Sequence, residues 1–136
     1  MSVGVVRRGL QIFFVLFGGI DIAIAFLHIT LGSSAIPGST PVNSTMDSED
    51  RFYATLFAAY GLALIWCVKE IERKSAIVYF LLATFFAGGL ARLLSVAALG
   101  PPNGFFVAMT VLELLIPVVA ALVQFRISRG IPQLGR

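Results

Sequence analysis

LQIFFVLFGGIDIAIAFLHITL, from Leu10 to Leu31, is the stretch that decides the fold. A helix rises about 1.5 Å per residue, so about 20 apolar residues cross a hydrocarbon core about 30 Å thick. This stretch is long enough. Its apolar residues do not alternate with polar ones, as those of a spanning strand would. A helix satisfies its backbone groups internally, which lipid demands. Three further stretches read the same way: about 52–68, 76–99 and 104–125. The expectation is an all-α fold, an integral membrane four-helix bundle in one transmembrane domain, residues 1–136.

Composition agrees. Soluble domains are about 45–50% apolar and about 25% charged. This chain is 58% hydrophobic and 12% charged, with a mean hydropathy of +0.94. In water it would expose apolar surface that it could not cover. An ordinary cytosolic enzyme and a disordered tail are excluded. A disulfide-stapled secreted domain is excluded too, because Cys67 is the one cysteine.

The connections are short apart from residues 32–51, the expected outer loop. It begins rich in Ser, Thr, Pro and Gly, and ends acidic as MDSED. The GPPN turn, Gly100 to Asn103, carries two fixed-geometry residue types. Basic residues set orientation. Arg7, Arg8, Lys69, Arg73, Lys74, Arg126, Arg129 and Arg136 fall on one side, and Arg51 alone on the other. Both termini are therefore expected in the cytoplasm, with residues 32–51 outside. The net charge of +3 reads as this topology signal, with no basic face for nucleic acid. Arg7 and Arg8 could open a signal peptide, but the apolar run exceeds the roughly 7–15 residues of its core. It also holds Asp21 and His28. A retained span is expected. Asn43-Ser44-Thr45 matches a glycosylation acceptor, a pattern common by chance.

Inside the spans the charges are Asp21, Arg92 and Glu113, with His28 nearby. An ionisable residue at the centre of a spanning helix costs at least about 2.5–3.5 kcal/mol. Counted from the outer ends, Asp21 lies about 15 Å deep, Glu113 about 14 Å and Arg92 about 10 Å. Asp21 and His28, seven apart, share a helix face. These depths predict one polar cluster, with Arg92 neutralising Asp21, Glu113 or both through its forked guanidinium. A protonated His28 or a protonated carboxyl would balance the remaining charge. Two roles stay open: interhelical glue, or binding of a polar head or a proton.

Other residues have blander readings. Pro117, four after Glu113, frees the Glu113 carbonyl and predicts a kink. Ala83, Ala87, Ala91 and Ser95, broadened by Gly88 and Gly89, make a stripe of small residues suited to close helix packing. Gly18-Gly19, Ala54, Ala58 and Ala59 offer similar faces. Asp47 or Ser48 is expected to cap the second helix, with Asp47, Glu49 and Asp50 near its positive end. Arg51 and Tyr53 fit the outer interface. Alternatively Asp47, Asp50, Arg51 and Tyr53 lid the cluster. The acids resemble no metal-ligand spacing, and no metal or cofactor is expected. Cys67 reads as packing, and Trp66 and Tyr79 as an inner aromatic belt.

MDSEDRFYATLF, GGLARLLS with its following GPP, and LELLIP resemble a bacterial family of four-span membrane proteins, domain of unknown function 4345, loosely similar to DoxX-like proteins. The specific parts are Asp50-Arg51-Phe52-Tyr53, Gly88-Gly89 with Arg92 and Ser95, and Glu113. The resemblance implies a four-helix bundle and no activity. The leading expectation is a non-enzymatic protein of the bacterial plasma membrane. It would bind a lipid-like or quinone-like ligand, or a partner subunit, in the outer half of the bilayer. The alternatives are an isomerase-like acid–base enzyme using Glu113 or Asp21 with His28, and an accessory subunit of a larger complex. Membrane lipids, a membrane-protein partner or a second copy are the expected partners.

Overall fold

A computed structural model describes residues 3–39 and 42–129. Four helices account for most of them: α1 Val3–Leu31, α2 Ser44–Cys67, α3 Ser75–Leu99 and α4 Gly104–Arg129. All four are long and apolar enough to cross a membrane. Short 3-10 turns follow α1 at Gly32–Ala35 and α2 at Val68–Glu70. No strand occurs among the described residues. Arg136, one of the residues that set the expected orientation, lies outside them.

Hydroxyls within the helices bond to their own backbone, as an apolar surrounding requires. Thr30 Oγ1 donates to the carbonyls of Phe26 and Leu27, Thr84 to Phe80, and Thr110 to Phe106, at 2.8–2.9 Å. Large apolar side chains point outward on every helix, including Phe26 at 69% exposure and Leu94 at 73%. Such a surface suits lipid.

Helix ends depart from expectation. α1 begins at Val3 and α2 at Ser44, well before the apolar runs that mark them in the sequence. Residues 44–51 are helix where a loop is expected, because the cap sits further upstream. Asn43 Oδ1 accepts from Met46 N–H at 2.9 Å, so Asn43 caps α2 and neither Asp47 nor Ser48 does. The GPPN turn ends one helix and starts the next. Gly100 takes φ +89°, a left-handed conformation that glycine adopts without a Cβ clash. Asn103 Oδ1 then accepts from Phe105 N–H at 3.0 Å.

By packing, the chain divides into two compact units. One unit is residues 14–68, which holds most of α1 together with α2. The other holds residues 3–13 with residues 69–129, including α3 and α4. In the first, α1 and α2 meet backbone to backbone: a Cβ built on Gly18 would stand 2.5 Å from the Gly61 carbonyl oxygen. In the second, α3 meets α4 through Gly89, where a Cβ would stand 2.9 Å from Leu114 Cδ2 and 3.1 Å from Glu113 Cβ. Gly18 and Gly89 are buried, whereas their neighbours Gly19 and Gly88 face open space. Ala83, Ala87, Ala91 and Ser95 are exposed as well. The small-residue stripe expected to pack therefore lies on an open face of α3. Of the residues expected to pack helices, Gly89 and Pro117 are buried, and Gly88 and Ser95 are exposed.

Candidate functional site

The buried residues of α4 are Thr110, Glu113, Pro117, Ala120, Gln124 and Ile127. Their spacing of three and four residues defines one helix face. This face carries Glu113 to α3. There Arg92, three residues after Gly89, donates from Nε to Glu113 Oε2 at 2.7 Å. The missing side chain at Gly89 lets the helices come close enough for this pair. Glu113 is nearly enclosed, its side chain 11% exposed, whereas the Arg92 side chain is 42% exposed. The Arg92 guanidinium carbon also lies 5.4 Å from the centroid of the Phe106 ring. Among the described residues no hydrogen bond engages Arg92 Nη1 or Nη2. The pair thus neutralises the acid and leaves a charged donor fork accessible.

Gln124 is a site residue that sequence reading missed. It is fully buried, and its Nε2 donates to the Ile71 carbonyl and to Ser75 Oγ, both at 2.8 Å. Ser75 Oγ lies 3.1 Å from Ser128 Oγ. The start of α3 and the end of α4 are joined in this way. The signal was present: Gln124 follows Glu113 and Pro117 on the same three-and-four spacing. Nearby, Arg7 pairs with Glu72 at 2.5 Å. Arg7 is one of the residues that sequence reading assigned to the cytoplasmic flank.

The α1–α2 unit holds the other polar residues. His28 Nδ1 lies 3.0–3.1 Å from both carboxylate oxygens of Asp50. Asp47 accepts from Ser33 N–H at 3.0 Å and from Arg51 Nε at 2.8 Å. Arg51 Nη1 donates to the carbonyls of Ile29 and Thr30 at the end of α1. Those carbonyls have no helical partner and carry the negative end of the helix dipole, so a cation there is favourable. Gly32, at φ +63°, makes the turn possible: a Cβ there would stand 1.8 Å from Asp47 Oδ1. Asp47, Asp50 and Arg51 therefore act as a clamp between the end of α1 and the start of α2. Tyr53 is 59% exposed, and its ring meets that of Phe52 edge-on with centroids 5.6 Å apart.

Asp21, lower on α1, is 1% exposed, and its Oδ2 has no hydrogen-bond partner. Sequence reading grouped Asp21, His28, Arg92 and Glu113 as one cluster. The structure joins Arg92 with Glu113 in one unit. In the other it joins His28 with Asp50, a residue of the expected lid. No three of His, Cys, Asp and Glu converge as metal ligands among the described residues.

A family model described as domain of unknown function (DUF4345) matches residues 9–124. The chain belongs to this family. No curated protein matches the chain, and no solved structure does. The DUF4345 match takes in Asp21, His28, the Asp47–Arg51 clamp, Arg92, Glu113 and Gln124. Arg7 and Ser128 fall outside it. The family description carries no activity, so the chemistry of this DUF4345 member rests on its geometry.

Proposed function

We propose that this membrane protein binds an amphiphile, lipid-like or quinone-like, whose polar head accepts hydrogen bonds from Arg92. The carrying observation is the Arg92 side chain, 42% exposed on a membrane-spanning helix and hydrogen-bonded, among the described residues, through Nε to Glu113. A cation that served packing alone would be enclosed with its partner, since exposure to hydrocarbon is costly. Here Glu113 fixes the fork and Phe106 supports it, while the Nη donors remain available. Carboxylate, phosphate and quinone carbonyl oxygens all match such donors. Glu113 is a positioning residue in this reading, and no proton transfer is assigned to it.

We place the protein in a plasma membrane, with both termini on the cytoplasmic side. The support is the excess of Lys and Arg on the side of the termini and the 69–75 connection.

The test is extraction in mild detergent, followed by mass spectrometry of the co-purifying small molecules. R92L is expected to lose an amphiphile that the wild type retains. E113Q keeps a hydrogen-bond acceptor near Nε and is expected to weaken retention less. If folded R92L carries the same molecules in the same amounts, the reading fails. Loss of a co-purifying protein, with the small molecules unchanged, would replace it with a partner-subunit role.

A further inference from the structure

Asp21 is not used by the site at Arg92, and its surroundings are unusual for an ionised group. It sits in the middle of α1 with 1% exposure, and Oδ2 lacks a hydrogen-bond partner. The packing beside it is tight. A Cβ on Gly61 would stand 2.6 Å from the Gly18 carbonyl oxygen and 3.1 Å from Asp21 Cβ. Three residues from Asp21, then, the two helix backbones come into close contact.

The basic groups of the α1–α2 unit are committed elsewhere. Arg51 binds Asp47 and the end of α1, and His28 pairs with Asp50. Arg51 is ten residues from Gly61 along α2, about 15 Å at the helical rise. Tyr60, next to Gly61, lies within electrostatic range of Asp21, but a phenol is itself an acid and brings no positive charge. An ionised carboxylate without a cation or full hydrogen bonding is far costlier to bury than a neutral acid.

We infer that Asp21 is a proton-binding site, carrying its carboxyl as the neutral acid in the closed α1–α2 unit. Uptake is one proton from hydronium onto a carboxylate oxygen, releasing water. Release reverses it and leaves one negative charge. That charge requires water, which the close approach of α1 and α2 at Gly18 and Gly61 does not admit on that side.

Infrared spectroscopy of the purified protein at neutral pH tests this. The wild type minus D21N difference is expected to contain the carbonyl band of a protonated carboxylic acid. Protein grown with 13C-aspartate is expected to show that band shifted, which assigns it to an aspartate, and D47N/D50N, which leaves Asp21 as the one aspartate, is expected to keep the shifted band. D21N, isosteric with the neutral acid, is expected to fold and to retain its thermal midpoint. If the 13C-aspartate signal is entirely carboxylate at neutral pH, the inference is overturned. If D21N does not fold, the labelled D47N/D50N protein decides.

Discussion

Glycines at adjacent positions have opposite consequences in this protein. Gly18 and Gly61 bring α1 and α2 into backbone contact, and Gly89 brings α3 to α4, while Gly19 and Gly88 border open space. A side chain at Gly61 would press on backbone, which cannot rotate away as a side-chain tip can. G61V is expected to destabilise the α1–α2 unit by about 1–3 kcal/mol, the usual range for overpacking. G19V is expected to leave the thermal midpoint near that of the wild type. Thermal unfolding in detergent, followed by helix signal, checks both. The sequence shows the Gly18-Gly19 and Gly88-Gly89 pairs but not which member packs, since adjacent residues on a helix point about 100° apart. Polar residues show a similar limit. Asp21 and Glu113 stand out as charges in apolar stretches. Gln124 does not stand out by charge, and only its register with Glu113 marks it.

Helix boundaries reflect capping more than hydropathy. The apolar run of α2 starts near Phe52, but the helix starts at Ser44 because Asn43 accepts from Met46 N–H. Asn and Asp side chains are strong caps, and loss of one costs about 0.5–2 kcal/mol. N43A is expected to lower stability by about this amount, read in the same unfolding assay. Hydrogen exchange should speed up first in residues 44–47, which depend on the cap. The polar first turns of α2 then serve α1. Asp47 takes Ser33 N–H, and Arg51 takes the last carbonyls of α1. An acidic stretch preceding an apolar run looks like a solvated loop in sequence. Its helical state depends on partners at Ile29, Thr30 and Ser33, more than a dozen residues upstream.

At the scale of the whole chain, four spans with basic flanks imply an orientation that labelling can read. In intact cells an impermeant thiol reagent is expected to label S34C and to leave R73C unmodified until the membrane is broken. The reverse pattern would place the termini outside. Native Cys67 is buried, which keeps the background low. The DUF4345 match runs across α1 to α4, so one family model takes in all four spans.

The sequence by itself determined the class of protein, the number of spans and the few intramembrane charges. These follow from length and hydropathy, which are local and additive along the chain. Helix pairing was legible only in part: Arg92 with Glu113 was among the pairings that charge and depth allowed. Tertiary structure alone decided that His28 turns to Asp50, that Asn43 rather than Asp47 caps α2, and that Gln124 joins the end of α4 to the start of α3. It also decided that Oδ2 of Asp21 stays buried without a hydrogen-bond partner. Each depends on which faces of two distant segments meet. A difference of one residue turns a side chain about 100° around the helix, and neither composition nor depth records that angle.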